Sequence, residues 1–214
     1  MEERTAVAPR RGAPSRRGEN YGGRSRQERA SDRRARIVTA AVHLFGTRDY
    51  EDVTVADVCA GAKVSKRYFY EHFTDRENLL MIVHREQNRW LLGQVAGSAP
   101  RHAATAEELL RPMMRTLIAK LVEDPERARV IYVNAPRMET RRRGVLREDA
   151  QHFAPLVNRF VGDTADKRRL ERTLLALIAG ISEVIIDWIS RDMAEDPDEL
   201  ADHLTWIAGH LLAH

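Results

Sequence analysis

Three helix-start signatures lie within about twenty residues of one another, and they constrain the fold more than any other feature of the chain. Thr54 and Thr74 each have an acidic residue three positions further on, and Ser65 lies between them. A Ser or Thr side chain caps a helix by accepting a backbone N–H, and the acidic residue bonds back. The surrounding apolar residues recur at intervals of three and four, which favours helices over strands. Short helices joined by tight turns are therefore predicted here.

The remainder of the chain has the same helical spacing, so we expect an all-α fold of about nine helices. The first helix is predicted to begin after Asp32 and to end at Gly46 in a left-handed conformation. Later segments are bounded by Pro and Gly. Further helices are predicted from Thr74, from about Ala106, from Pro125, and over 139–161, 166–192 and 198–213.

Composition limits the class of protein. With 43% hydrophobic and 31% charged residues, the chain is typical of a soluble globular protein. No apolar run is expected to span a bilayer, and the single cysteine, Cys59, fits a reducing compartment. No membrane partner and a cytoplasmic location are expected.

The N-terminal segment carries the excess positive charge. Residues 1–29 contain eight Arg against four Glu. Residues 1–30 are poor in apolar side chains and are predicted to be disordered. This tail could attract phosphate groups, or it could be a solubilising extension or cloning remnant.

The segment after Ser65 combines basic and aromatic hydrogen-bond donors on one short helix. Its side chains include Lys66, Arg67, Tyr68, Tyr70 and His72. Such a helix, following a second short helix and a tight turn, is typical of a DNA-recognition helix.

Residues 33–82 resemble the TetR family of one-component transcriptional repressors. The motifs that carry the resemblance are Leu44-Phe45-Gly46, Tyr50…Val53-Thr54-Val55, Asp57-Val58-Cys59-Ala60, Val64-Ser65-Lys66, Phe69-Tyr70-Glu71-His72-Phe73 and Arg76-Glu77-Asn78-Leu79-Leu80. The resemblance covers about a quarter of the chain. Two departures are Lys63, where the family usually has Gly, and Arg67-Tyr68-Phe69, where it often has Gly-Thr-Leu.

The resemblance implies a division of labour on double-stranded operator DNA. Lys66, Arg67 and Tyr68 occupy base-facing positions. The implied phosphate contacts are Thr54, Tyr70, His72 and Arg76. Phe69 and Phe73 are expected to face the small core.

It also implies three parts: a tail over 1–30, a three-helix helix-turn-helix DNA-binding domain over 31–78, and a helical effector-binding and dimerisation domain over 79–214. One recognition helix gives little specificity, so a homodimer is expected. An apolar stripe along the last two helices is the candidate interface, although it could be the core of the monomer alone. Its residues are Leu174, Leu177, Ile181, Ile185, Trp188, Leu204, Ile207 and Leu211.

The resemblance further implies a small-molecule effector of unknown identity. Met and aromatic side chains suit an adaptable apolar pocket, but each is also common in an ordinary core. The candidates are Trp90, Met113, Met114, Leu117, Tyr132 and Phe153.

Other classes of function are less well supported. The sequence has no Gly-rich phosphate loop, no His-Glu-x-x-His and no nucleophile elbow, so we expect no enzyme and no cofactor. His210 and His214 have metal-ligand spacing, but a frayed surface face is the simpler interpretation, and no metal is predicted. A ligand-sequestering helical protein without a regulatory role, or an all-helical enzyme, are the alternatives.

Overall fold

The computed structural model describes residues 25–134, 139–161 and 166–212, and within these ranges the protein is helical without strands. A 3-10 turn at Tyr50–Asp52 precedes α2, and a π-helical turn at Val130–Asn134, called the π turn below, follows α6. The helices of this part of the chain are α1 (Arg26–Thr47), α2 (Val55–Ala62), α3 (Lys66–Tyr70), α4 (Arg76–Gly97), α5 (Ala106–Glu123), α6 (Pro125–Arg129), α7 (Glu139–Val161), α8 (Lys167–Ser190) and α9 (Pro197–Leu212).

Helices α1–α3 and the first half of α4 form one unit, called the head. Its core is closed by large side chains that solvent does not reach, including Phe45, Phe69 and Phe73. Phe69 and Phe73 face this core as predicted, with ring centroids 5.6 Å apart. Burying large aromatic side chains supplies much of the driving force for so small a unit.

Helix α1 differs from its prediction at both ends. It begins at Arg26, because Ser25 and Glu28 form a complete capping box, so residues 26–30 are helical rather than disordered. Residues 1–24 of the predicted tail lie outside the described residues. Gly46 lies inside α1 and does not end it. A Cβ there would be 2.5 Å from Cβ of Glu126 on α6, so the two backbones can approach only because residue 46 is glycine.

The predicted caps of the short helices have different outcomes. Thr54 forms a complete capping box with Asp57, which confirms the first prediction. Ser65 precedes α3 but makes no side-chain capping bond. Helix α4 is capped by Asp75 rather than Thr74, because the Asp75 carboxylate accepts the backbone N–H of Asn78. An ionised acceptor is the stronger partner at a positive helix end.

The second half of α4 and helices α5–α9 form the other unit, called the sensor. Its core lies between α5, α8 and α9, with α7 packed beside α8. Helix α4 contributes Leu79 and Val83 to the head core and Leu91 to the sensor core. A domain boundary at residues 78/79 therefore remains a prediction, and one continuous helix crosses it.

Helix α8 is long and apolar enough to cross a membrane, contrary to the expectation from sequence. This is weak support for a membrane span, because core helices of soluble proteins have the same length and composition. In the fold, Leu177, Ile181 and Ile185 of α8 are buried in the sensor core.

Candidate nucleic-acid interface and effector cavity

The turn between α2 and α3 places α3 on the outside of the head. Lys63 has φ 54°, in the left-handed region, and Val64 N–H donates to the Cys59 carbonyl. Phe69 anchors the inner side of α3 in the head core. The outer side of α3 is consequently free to meet a ligand as large as a DNA duplex.

Two of the three side chains predicted to read bases are fully presented. Lys66 is exposed, and the side chain of Arg67 is 87% exposed, with only a long contact of 3.7 Å to Glu71. Tyr68 is different, because the Arg33 guanidinium lies 4.2 Å from its ring centroid. That cation–π contact holds the phenol toward α1.

The predicted phosphate contacts have unequal freedom. The Tyr70 side chain is exposed, which leaves its hydroxyl available. The Thr54 hydroxyl donates to Asp57 at 2.6 Å, and this bond lowers the pKa of the Asp57 carboxyl. His72 is half-buried, and its Nε2 has no hydrogen-bond partner within the described structure. Tyr70 is therefore the best placed of these three.

Arg76, which is predicted to contact a phosphate, also has a structural role within the head. Its Nη1 donates to the carbonyls of Tyr50 at 2.9 Å and Val53 at 2.6 Å. Its guanidinium also lies 3.9 Å from the centroid of the Tyr50 ring. Arg76 thus fixes the segment that leads into α2, and these bonds would have to break for its Nη1 to reach DNA. The predicted phosphate contact stays a prediction beside this structural role.

A sequence model described as bacterial regulatory proteins of the tetR family matches residues 37–81, which lie in the head. The head of the chain belongs to the TetR family.

Solved structures of TetR-family regulators share the fold over most of the chain. A regulator from Streptomyces coelicolor has a TM-score of 0.68 at 17% identity, over 86% of this chain and 81% of that one. The fatty acid degradation regulator FadR from Bacillus halodurans has a TM-score of 0.62 at 16% identity, over 82% of this chain and 93% of that one. The repressor AlkX from Dietzia has a TM-score of 0.57 at 24% identity, over 84% of this chain and 95% of that one. No curated protein matches the chain. These structures show the fold of the chain, and the tetR-family match over the head supports a DNA-binding regulator.

An apolar cavity lies inside the sensor. Its volume is about 60 Å³. On the same scale one water molecule needs about 10–15 Å³, so the cavity has room for several. Five of the six side chains predicted to form a pocket line it: Met113, Met114, Leu117, Tyr132 and Phe153. The sixth, Trp90, does not line it, because its ring stacks beneath the Arg127 guanidinium at 3.8 Å on the surface. Trp90 is therefore removed from the predicted pocket.

Asp149 of α7 also lines the cavity, and the sequence analysis missed it. Burial is the main reason that the pKa of its carboxyl is raised to about 6, against a smaller opposing effect of the Asn88 hydrogen bond. Asn88 of α4 donates to Asp149 Oδ1 at 2.7 Å. The available signal was weak, since one acidic residue on a polar helix resembles any solvated carboxylate.

The π turn joins the cavity to the head. Successive residues serve different units: Val130 packs in the head core, Ile131 in the sensor core, and Tyr132 lines the cavity. Asn134 is fully buried and bonds the head. Its Nδ2 donates to the Phe45 carbonyl at 2.5 Å, and its Oδ1 accepts the Tyr50 N–H at 3.0 Å.

His84 of α4 is buried beside the same turn. Desolvation, reinforced by Arg85, lowers its pKa to about 4, despite a hydrogen bond with the backbone of Ile131. The imidazole is therefore neutral at physiological pH.

The residues predicted as a dimer interface lie mostly inside the protomer. Leu174, Leu177, Ile181, Ile185, Trp188 and Leu204 are all buried in the single chain. Ile207 is half-buried, and Leu211 is 43% exposed. The buried six belong to the protomer's own core, so a partner would have to meet the outer faces of α8 and α9.

These outer faces carry apolar and small side chains. Trp206 of α9 is 60% exposed. On α8, Ala176 and Gly180 are exposed, and a Cβ at Gly180 would meet nothing within 4 Å. Within the described residues, no group of three His, Cys, Asp or Glu side chains could hold a metal ion. His214 of the predicted histidine pair lies outside them.

Proposed function

We propose that this TetR-family protein is a dimeric, cytoplasmic repressor that binds a palindromic operator and is released by a small-molecule effector. The observation that carries the proposal is the outer side of α3, where Lys66, Arg67 and Tyr70 are exposed above a filled core. Exposed donors on a short, well-anchored helix suit the major groove of DNA. Repression requires only that the operator be occupied.

Within this proposal the contacts are ranked by their freedom. Arg67 is the main base reader, because a bidentate contact to guanine contributes about 1–3 kcal/mol of discrimination. Lys66 reads bases or approaches a phosphate, and Tyr68 makes a smaller contribution because Arg33 holds its ring. Tyr70 donates to a phosphate, with Thr54 and His72 beside it.

The test begins with selection of a binding site from random-sequence DNA. We expect one palindrome with half-sites about one helical turn apart, or 34–36 Å. Arg67→Ala should weaken binding to that site and relax preference at one position in each half-site. Tyr70→Phe should weaken binding evenly across sequences.

Arg191→Ala provides the matched control, because Arg191 is an exposed arginine on the sensor that pairs with Asp187. It should leave both affinity and sequence preference unchanged. Failure of selection to enrich any sequence would sink the operator proposal.

The outer faces of α8 and α9 support the proposed dimer. Trp206 lies between His203 and His210, with its ring 4.5 Å from that of His210, so three rings form one broad surface. Ala176 and Gly180 would let a partner helix approach closely. The four helices of two protomers would then form a bundle.

Trp206→Glu tests this surface. We expect it to convert dimers into monomers in light scattering and to weaken operator binding at least tenfold. Val122→Glu is the control, because Val122 is also an exposed apolar residue but lies on α5. A Trp206→Glu protein that remains dimeric would contradict the proposed face.

Release by an effector is proposed to pass through the π turn. A ligand in the cavity would displace Tyr132, and Asn134 lies two residues further along the same turn, bonded to the head. A change from 1:99 to 99:1 between two conformations requires about 5.5 kcal/mol of differential ligand affinity.

A panel of apolar small molecules can be screened for release of the selected operator. Any active compound should lose its effect on Ile178→Trp, which fills the cavity, but not on Val122→Trp, which adds the same ring elsewhere. Equal release from both variants would remove the cavity from the proposal.

A further inference from the structure

Among the described residues that line the cavity, one group is charged at neutral pH. Apart from thioethers, the polar side chains that line it are Tyr132, Asp149 and Ser182. The Ser182 hydroxyl donates to the Ile178 carbonyl at 2.8 Å, so its proton is already used within α8. Desolvation keeps the Tyr132 phenol in its neutral form by raising its pKa.

The Asp149 carboxylate has one neutral partner and no cationic one. Asn88 donates to Oδ1 at 2.7 Å, and no Lys or Arg of the described chain pairs with either oxygen. An ionised carboxylate in apolar surroundings without a countercharge destabilises the folded state. If this region were only a packing core, an apolar residue at position 149 would be more stable. The half-buried charge is more readily explained as one half of an ion pair.

We propose that the cavity takes an apolar molecule bearing one cationic group, such as an alkylammonium, and that Asp149 provides the countercharge. The apolar walls would bind the hydrocarbon part, and the ammonium would donate to the oxygen atoms of Asp149. An alkyl carboxylate of equal length would place two anions within one poorly solvated space. This inference rests on the proposed effector cavity and adds to it the sign of the ligand's charge.

The charges of the groups around Asp149 favour a cationic ligand group over an anionic one. Glu148, its neighbour on α7, adds negative charge and raises the pKa of Asp149 further. Tyr132 faces it from the π turn, and Asn88 faces it from α4 as a neutral donor. Arg85 and His84 do not line this cavity but a separate cleft, together with Asn88 and Glu148.

Three ligands of equal chain length separate charge from hydrophobicity: decylammonium, decanol and decanoate. Their affinities are measured by calorimetry, above the pH range in which Asp149 titrates. We expect decylammonium to bind the wild-type protein at least about tenfold more tightly than decanoate, a difference of 1.4 kcal/mol. Decanol should lie between them.

Asp149→Asn keeps the shape and the acceptor but removes the charge. It should reduce the preference for decylammonium over decanoate at least about fivefold and leave decanol almost unchanged. Glu148→Gln is the matched control, since it removes one negative charge next to the cavity without altering its lining. It should retain most of the wild-type preference.

The outcomes distinguish the two proposals. If all three ligands bind equally, or if Glu148→Gln acts as strongly as Asp149→Asn, the charge preference is refuted while the cavity remains a binding site. If no decyl compound binds the wild-type protein, or if Ile178→Trp binds them equally well, the effector cavity fails and this inference fails with it. Circular dichroism of Asp149→Asn establishes that the variant is folded.

Discussion

The head is filled, whereas the sensor is packed around an open space. Three phenylalanines close the head core, and its polar ends are satisfied by caps and by Arg76. The sensor places Met side chains and a lone carboxylate around a cavity. A filled core holds a recognition surface in one geometry, while an open core can respond to a ligand. The head core is packed more completely, whereas the sensor has fewer packing contacts around its cavity and can adapt to a ligand.

The largest expected effect tests this contrast with the same substitution in both regions. Phe69→Ala should lower the free energy of unfolding by about 3–5 kcal/mol, because it empties a closed core. Phe153→Ala should cost less, since its ring already borders the cavity. Denaturant unfolding measures both, and equal losses would remove the distinction between filled and open cores.

Asn134 connects the two regions, and its loss should have the next largest effect. Asn134→Ala leaves the Phe45 carbonyl and the Tyr50 N–H without their partner, which should cost about 2–3 kcal/mol. It should also weaken ligand-induced release of DNA. The control is Thr205→Val, a buried polar residue of the sensor whose one bond is to its own helix. A variant that unfolds like wild type and still releases DNA would show that the head and sensor communicate elsewhere.

Two ionisable groups with shifted pKa values, Asp149 of α7 and His84 of α4, should make the stability of the protein depend on pH. The pKa of Asp149 is raised to about 6. The folded state is therefore not penalised by this carboxyl below its unfolded pKa, and the free energy of unfolding falls as the pH rises toward 6. The pKa of His84 is lowered to about 4, so its contribution is lost as the pH falls from its unfolded value toward 4. The two effects oppose each other across the same window.

Asp149→Asn removes one of these effects. Its stability relative to wild type should therefore increase by about 1–3 kcal/mol between pH 4 and 6. Chemical unfolding at a series of pH values measures this difference, in which the other carboxyls cancel. A constant difference across that range would contradict the assignment to Asp149.

The smallest expected effect concerns the turn of the head. Lys63 adopts φ 54°, which costs a non-glycine residue roughly 1 kcal/mol. Lys63→Gly should therefore raise the free energy of unfolding by several tenths to about 1 kcal/mol. Lys63→Ala loses the same charge but keeps the strain, so it should show no gain.

The head could be predicted from sequence in more detail than the sensor, because its signals are local. The Thr54 capping box and the inward Phe69 depend on neighbours within a few residues. The α1 start was missed because the Ser25 box lay in a segment that looked disordered by composition. The structural role of Arg76 was missed because its acceptors are carbonyls more than twenty residues earlier.

The sensor site depends on contacts between distant helices. Side-chain type identified five cavity residues, but periodicity could not distinguish Trp90, which faces Arg127 on the surface. Asp149 acquires its character only where α4 and α7 meet. The stripe on α8 was apolar on more than one side, and its regular spacing did not reveal which side the protomer itself would cover.

The contact between Gly46 and Glu126 has a consequence for genetics. Even a methyl group at residue 46 would press on the backbone of α6, whose Cα would be 2.7 Å away, so the helix itself would have to move. Such a substitution imitates from the head side the displacement that a ligand would cause from the cavity side. Under the proposed repressor function, in a selection for cells that express the target genes without effector, we expect alterations of residue 46 to appear among the folded, soluble mutants.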